Sequence, residues 1–402
     1  TASTVPAPTV AAEDRHRRDR RWLEDPVECG PAAGFGVYLH VPFCAHRCGY
    51  CDFATYDDRD LLMPRYVAAL REDLGRIAAR SADLPPITSV FVGGGTPTLL
   101  PHEDLAGIVR AVGTELDLVP DVEVTVECNP ETASEELFGA LVAAGVNRLS
   151  IGAQSFVPHV LTTLERQHGP EGPVAAVQLA RGAGIEQINL DLIYGTPGES
   201  EDDWHSTLDR ALAANPEHLS CYALTIHPNT AFGRRVRTGV MSEPEDDVQR
   251  DRFEVARERL AEAGFEHYEI SNWARAPRHR SAHNTLYWRH GNYLGVGVGA
   301  HGHRDGHRWW TTRSIEDYIT TVEAGGSPLA GEEHLDSGQR RDERLLLGLR
   351  LREGLHPVDV PPIAPEALED AIDQGLVTTS CGRLQATEQG WFLLDEAVAR
   401  LA

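Results

Sequence analysis

The residues of this chain best suited to chemistry are three cysteines in one short loop. They lie in Val37-Tyr38-Leu39-His40-Val41-Pro42-Phe43-Cys44-Ala45-His46-Arg47-Cys48-Gly49-Tyr50-Cys51-Asp52-Phe53. Three residues separate Cys44 from Cys48, and two separate Cys48 from Cys51. Thiolates so spaced can take three corners of a metal cluster. A four-iron cluster held at three corners keeps one iron free for a substrate or cofactor. The competing reading is a zinc site with His40 or His46 as fourth ligand. Structural zinc sites usually pair two short knuckles, and no second knuckle occurs here.

The elements around the loop must position it. The segment 36–41 reads as a strand, and 64–80 as a helix. The strand 89–92 leads into Gly93-Gly94-Gly95-Thr96-Pro97-Thr98 and a helix over 102–114. Strand 122–128 precedes a helix over 133–144. Strand 148–153 precedes a broken helical stretch to 182. Strand 186–193 precedes a helix capped by Ser200, with Asp203 three residues on. Strand 218–224 is the sixth. Six strand–helix units in succession imply an α/β fold with parallel strands, closed into a barrel or partial barrel.

Alternation within the strands separates two faces. Val122, Val124 and Val126 oppose Glu123, Thr125 and Glu127; Ile188, Leu190 and Leu192 oppose Asn189 and Asp191. The apolar face should meet the helices, leaving a polar face toward the interior. Ordinary barrels fill that interior with branched apolar side chains. A polar interior therefore suits a cavity for a polar ligand; a water-filled or salt-bridged interior is the plainer alternative. Glu127, Gln154, Asp191, the cysteine loop and the triple glycine all fall at carboxyl ends of strands, where barrel active sites gather.

Composition narrows the function classes. The chain has 402 residues and a formal net charge of −24, which argues against general nucleic-acid binding. No run of about 18 apolar residues occurs, so no transmembrane segment is expected. The first residues lack the pattern of a secretory signal. Seven cysteines, with three clustered, do not read as a disulfide framework; a reduced, cytoplasmic chain is expected. Cys128, Cys221 and Cys381 read as small buried hydrophobes, and Cys29 as incidental.

Four regions follow: a disordered tail over 1–34, the barrel over 35–225, an α+β extension over 226–337, and a small winged-helix-like domain over 338–402. The basic run 15–21 in the tail is a candidate for peripheral membrane contact. The extension carries His283-Asn284-Thr285-Leu286-Tyr287-Trp288 and a glycine-rich stretch leading to His301. In the last region, Leu345, Leu349, Leu368 and Ile372 mark two helices. A hairpin turns at Cys381-Gly382, and Phe392, Leu393 and Val398 mark a closing helix. Glu366, Glu369, Asp370 and Asp373 on one helix do not suit DNA.

Taken together, these motifs resemble the radical S-adenosylmethionine proteins of the oxygen-independent coproporphyrinogen III oxidase group. The resemblance runs through the cysteine loop, the triple glycine, Glu127-Cys128-Asn129-Pro130, Ser150-Ile151-Gly152-Ala153-Gln154-Ser155-Phe156, Arg166 and Asn189-Leu190-Asp191-Leu192-Ile193-Tyr194-Gly195. It implies a partial (β/α)6 radical-SAM barrel with Cys44, Cys48 and Cys51 on a 4Fe–4S cluster. It further implies that Gly94, Gly95 and Thr96 face the methionine part of S-adenosylmethionine. Tyr38, Tyr50, Glu127, Gln154, Arg166 and Asp191 would line the rest of that cofactor. Two departures indicate a branch. The true oxidases carry a fourth cysteine where this chain has Phe53, and they lack the His-Asn-x-x-Tyr-Trp motif. That motif resembles the haem-chaperone branch, which implies haem binding, with His283 involved, and delivery to haem-accepting proteins. The alternative is the oxidase activity itself. Among other histidines, His301, His303 and His307 compete with His283 as haem ligands.

Overall fold

A computed structural model describes residues 34–80, 83–360 and 362–402. The basic run 15–21 and Cys29 lie outside the described residues. Six strands pair in parallel and in chain order: β1 Phe35–Val41, β2 Ile87–Gly94, β3 Leu118–Cys128, β4 Arg148–Gln154, β5 Gln187–Tyr194 and β6 His218–Ala223. Both edges of this parallel set are extended. β7 Glu266–Glu269 and β8 Asn272–Ala274 continue beyond β6. β9 Asn292–Val296, β10 His301–Arg304, β11 His307–Thr311 and β12 Leu329–His334 continue beyond β1. The result is one twelve-stranded sheet, ordered β12-β11-β10-β9-β1-β2-β3-β4-β5-β6-β8-β7.

The alternation of the sequence explains the layering. Val37, Leu39, Val92, Val126, Leu149, Ile151, Ile188 and Leu190 are fully buried on the helix-facing side. Leu70, Leu74, Leu105, Phe138, Trp204 and Leu208 supply the buried faces of the crossover helices. A one-residue slip in any strand would drive Glu127 or Asp191 into that apolar layer, so the register is firmly set. The helix Glu201–Ala213 begins with the expected capping box. The Asp203 N–H donates to Ser200 Oγ at 3.2 Å, and the Ser200 N–H donates to Asp203 Oδ2 at 2.8 Å.

Two compact units divide the described chain. The larger spans Gly34–Leu286 and Gly291–His334, so the segment after residue 225 that contributes β7–β12 shares the sheet of the parallel strands. The smaller groups Leu335–Ala402 with Tyr287–His290. It holds the helices Ser337–Gly348 and Pro365–Asp373 and the hairpin β13 Val377–Ser380 and β14 Arg383–Ala386. The Trp391 indole N–H donates to the Leu349 carbonyl at 2.9 Å.

The structure departs from two local expectations. Cys381 is exposed rather than buried. It and Gly382 form a two-residue turn with φ of 51° and 71°, a geometry that points the first side chain to solvent. The closing helix is two helices, Glu388–Phe392 and Leu394–Leu401, broken at Leu393. The break turns Trp391, Leu394, Ala397 and Leu401 inward and leaves Phe392 and Leu393 exposed.

Candidate functional site

The cysteine loop leaves the end of β1 and is fastened from both sides. The Cys44 N–H donates to the Tyr56 carbonyl at 2.9 Å, and the Tyr56 N–H to the Pro42 carbonyl at 2.8 Å. The Cys51 N–H closes a turn onto the Cys48 carbonyl at 3.1 Å. From the far side, Glu165 Oε2 accepts the Gly49 N–H at 2.8 Å, while Arg235 Nη2 donates to Glu165 Oε1 at 2.6 Å. Cys51 and Cys48 lie close enough to disfavour ionisation of Cys44, and Cys51 close enough to disfavour that of Cys48. Burial pushes the Cys44 thiol up to about 12, against a hydrogen bond from Thr96. Burial also raises Cys48, opposed by the neighbouring Arg166 guanidinium. Thiols so placed ionise readily only when a metal supplies the compensating charge.

The triple glycine lies directly against the first cysteine. A Cβ on Gly95 would come within 2.5 Å of the Phe43 carbonyl oxygen and 3.0 Å of Cys44 Sγ, so only glycine permits this approach. The Gly94 N–H donates to Glu127 Oε2 at 2.8 Å. Loss of solvent, reinforced by the nearby Asp191 charge, pushes the Glu127 carboxyl up to about 7. Thr96 Oγ1 accepts from Asn129 Nδ2 at 2.9 Å.

Arg166 ties three strands' ends together. Its Nη2 donates to Asn129 Oδ1 at 2.6 Å and to the Gly152 carbonyl at 3.0 Å, and its Nη1 lies 3.7 Å from Cys48 Sγ. Its Nε is buried with no hydrogen-bond partner. Gln154 ends β4 in the left-handed region at φ 61°, a conformation that costs a side-chain-bearing residue ~1–2 kcal/mol. Strain of this kind persists where the surroundings over-determine it, commonly at functional positions. Tyr50 packs edge-on against Phe232 at 6.0 Å, beside Val157, Leu164 and Ile193.

The interior face is polar, and its hydrogen bonds form a column. Asp191 accepts from Ser150 Oγ at 2.8 Å and from Asn189 Nδ2 at 2.9 Å. Asn189 Oδ1 accepts from His218 Nδ1 at 2.6 Å, and His218 Nε2 meets the Tyr268 hydroxyl at 2.8 Å. That hydroxyl accepts the Ser281 N–H at 3.2 Å. The column thus descends from the Asp191 carboxylate to the segment that carries the histidine motif.

His283 is not brought to the cysteines. It lies at the opposite, amino-terminal end of the strands, 1 % exposed. Its Nδ1 meets Ser89 Oγ at 2.9 Å, and its ring stacks on Phe91 at 5.3 Å. Glu123 accepts the backbone N–H groups of Ala282 and His283 at 2.9 and 3.0 Å, where a carboxylate suits a helix start. Burial, with Arg148 adding to it, lowers His283 to about 3. In this arrangement iron reaches the ring only if the floor opens. His40 is occupied too, its Nδ1 by the Tyr38 hydroxyl at 2.9 Å and its Nε2 by the Ala54 carbonyl at 2.9 Å. It is therefore no fourth zinc ligand. Among the described residues, no three His, Cys, Asp or Glu side chains converge as ligands of a single ion.

The structure gives roles to two residues the sequence left without one: Glu165 pins the loop, and Asn129 couples Thr96 to Arg166. His40, a candidate zinc ligand in the sequence, instead props Ala54. Asn129 lies within a quoted motif and Glu165 adjoins Arg166, but nothing in their spacing announces a role.

The donor set suits an iron–sulfur cluster with a zwitterionic, cationic cofactor: three thiols, two carboxylates, a side-chain amide, and an arginine with an unpaired N–H. Comparison with known proteins agrees. The Radical SAM superfamily pattern matches residues 38–211, and the HemN C-terminal domain pattern matches residues 335–393. A Mycobacterium tuberculosis protein named heme chaperone HemW is 43% identical over 374 residues, covering 92% of this chain and 95% of that one.

This chain belongs to the HemW family.

The Escherichia coli protein of the same name is 36% identical over 373 residues, covering 89% of this chain and 96% of its own. In fold, the chain is similar to the Escherichia coli coproporphyrinogen III oxidase HemN, a radical SAM enzyme, with a TM-score of 0.76 and 21% identity. That match covers 92% of this chain and 91% of the oxidase. At the position that implied a fourth cysteine in the oxidases, Phe53 is 66% exposed beside the loop. No helix among the described residues is long and apolar enough to cross a membrane.

Proposed function

We propose that this protein is a haem chaperone that binds haem, holds a 4Fe–4S cluster with S-adenosylmethionine, and delivers haem to acceptor proteins. The observation that carries the reading is the identity with proteins named heme chaperone along nearly the whole chain. Cys44, Cys48 and Cys51 would hold the cluster. Gly94, Gly95 and Thr96 would face the methionine part of S-adenosylmethionine, with Glu127, Gln154, Arg166 and Asp191 around the remainder and Tyr38 and Tyr50 as walls. When bound, cluster and cofactor together supply one-electron chemistry at the sulfonium centre.

The chain's own residues do the rest. Arg166, with its free Nε–H and buried position, suits a carboxylate. Glu127 and Asp191 suit an ammonium or a ribose hydroxyl. Burial of Cys44, together with Phe43 and Tyr66 stacked edge-on at 5.5 Å beneath it, limits water at the loop.

The test uses anaerobically reconstituted full-length protein. Added haem should produce a shifted haem absorbance at micromolar concentration. The same preparation with S-adenosylmethionine, reductant and coproporphyrinogen III should form no protoporphyrinogen. Substantial protoporphyrinogen would replace this reading with the oxidase.

A further inference from the structure

The sheet continues past β1 into a face whose residues suit a flat, iron-bearing dianion. Register defines that face. Tyr38 of β1 pairs with Gly295 of β9, Tyr293 pairs with His303 of β10, and His301 pairs with Trp310 of β11. His301 and Trp310 therefore share the face that carries Tyr38 and His40. The two rings stack with centroids 5.9 Å apart and planes 28° from parallel. Trp310 lies across the neighbouring strand, where a Cβ on Gly331 would fall 2.4 Å from the indole. Glycine there keeps the surface flat.

The three competing histidines separate cleanly. His303 is buried, with Nδ1 on the Gly291 carbonyl at 2.9 Å and Nε2 accepting the Gly306 N–H at 3.1 Å. His307 points to the other face and meets Glu332 at 3.1 Å. His301 is exposed, and no described residue hydrogen-bonds its ring. Burial on one side, then the charges of Arg313 and Arg308, disfavours protonation of its imidazole. A neutral imidazole is the form that ligates iron.

Charge favours the same occupant. Arg308 is neutralised by Glu333 at 2.6 Å. Arg313 donates to the Asp52 carbonyl at 3.3 Å and has no carboxylate partner among the described residues. That bond also fastens the face to the cysteine loop, as does the approach of Gly299 to Ala54.

We propose that haem docks on the β9–β11 face, with His301 as axial ligand to the iron, Trp310 against the porphyrin and Arg313 toward a propionate. The imidazole lone pair replaces water on ferric iron; no electron or proton moves. The inference rests on the haem-binding reading above and names the surface that reading requires.

The test is a haemin titration of the full-length protein followed by absorbance and low-temperature electron paramagnetic resonance. His301→Ala should weaken binding by about tenfold or more and remove the histidine-ligated signature, with unchanged circular dichroism. Arg313→Glu should weaken haemin several-fold but leave the dimethyl ester, which lacks free propionates, unaffected. His283→Ala and His303→Ala serve as comparisons. A His301→Ala protein with wild-type affinity and signature overturns the site while leaving haem binding intact. Loss of the signature in His283→Ala with retention in His301→Ala overturns it in favour of the floor histidine. Wild-type protein that binds no haem overturns both this inference and the reading beneath it.

Discussion

At the carboxyl ends of β2 to β5, polar groups are held in costly states. Glu127 has a raised pKa, Gln154 sits at φ 61°, and Arg166 Nε lacks a partner. At the amino ends of the same strands, the polar groups satisfy one another: His283 with Ser89, the backbone of residues 282 and 283 with Glu123, and His218 with Asn189 and Tyr268. The contrast teaches that residue type alone does not mark function. His283 is closed off by hydrogen bonds, while Arg166 Nε at the rim is left with a donor available to a ligand.

The largest way to sharpen this contrast is Arg166→Ala. It should lower S-adenosylmethionine affinity by about thirty- to a hundredfold, the equivalent of the ~2–3 kcal/mol of charge-assisted hydrogen bonds. Anaerobic calorimetry on cluster-loaded protein measures it. Near-wild-type affinity would remove Arg166 from the cofactor site.

His283→Ala should behave oppositely. It orphans Ser89, opens a cavity beneath Phe91 and should destabilise the protein by ~2–4 kcal/mol. Denaturant melts would show the loss, while iron content at low temperature stays unchanged. A variant with wild-type stability would break the assignment of His283 to the floor.

A smaller effect comes from pH. Cofactor cations attract the ionised form of Glu127, whose carboxyl titrates at about 7. Binding therefore releases a proton below that pH, and affinity should rise by up to about tenfold per unit until about pH 7 and then level. Glu127→Gln should flatten the profile. The same shift affects folding. The native state holds this proton more tightly than the unfolded chain, whose carboxyl titrates near 4.5, so the contribution is full below that value. It is lost as pH rises to about 7. The smallest effect is Glu165→Ala, which frees the Gly49 N–H and should slow cluster assembly several-fold without preventing it.

Much of this was legible in the sequence because strand alternation reports burial directly. Val122 to Cys128 revealed both the apolar layer and the Glu127 rim position, and Ser200 with Asp203 revealed a helix start. The end of the sheet on which His283 lies was not legible. That depends on β9 joining β1 in parallel, a pairing between residues about 250 apart that no local pattern encodes. The exposure of Cys381 followed from a two-residue turn, which reads as a hairpin but does not reveal where its first side chain points. Glu165 was silent because its role arises only where separate loops meet.

The most direct test compares cysteines of the two kinds. Iron and sulfide should be quantified after anaerobic reconstitution of Cys44→Ser, Cys48→Ser, Cys51→Ser and Cys381→Ser. The account predicts that each of the first three loses the four-iron cluster and its broad visible absorbance while remaining folded, and that Cys381→Ser matches wild type. A full four-iron cluster in any of the first three, or its loss in Cys381→Ser, would contradict the assignment.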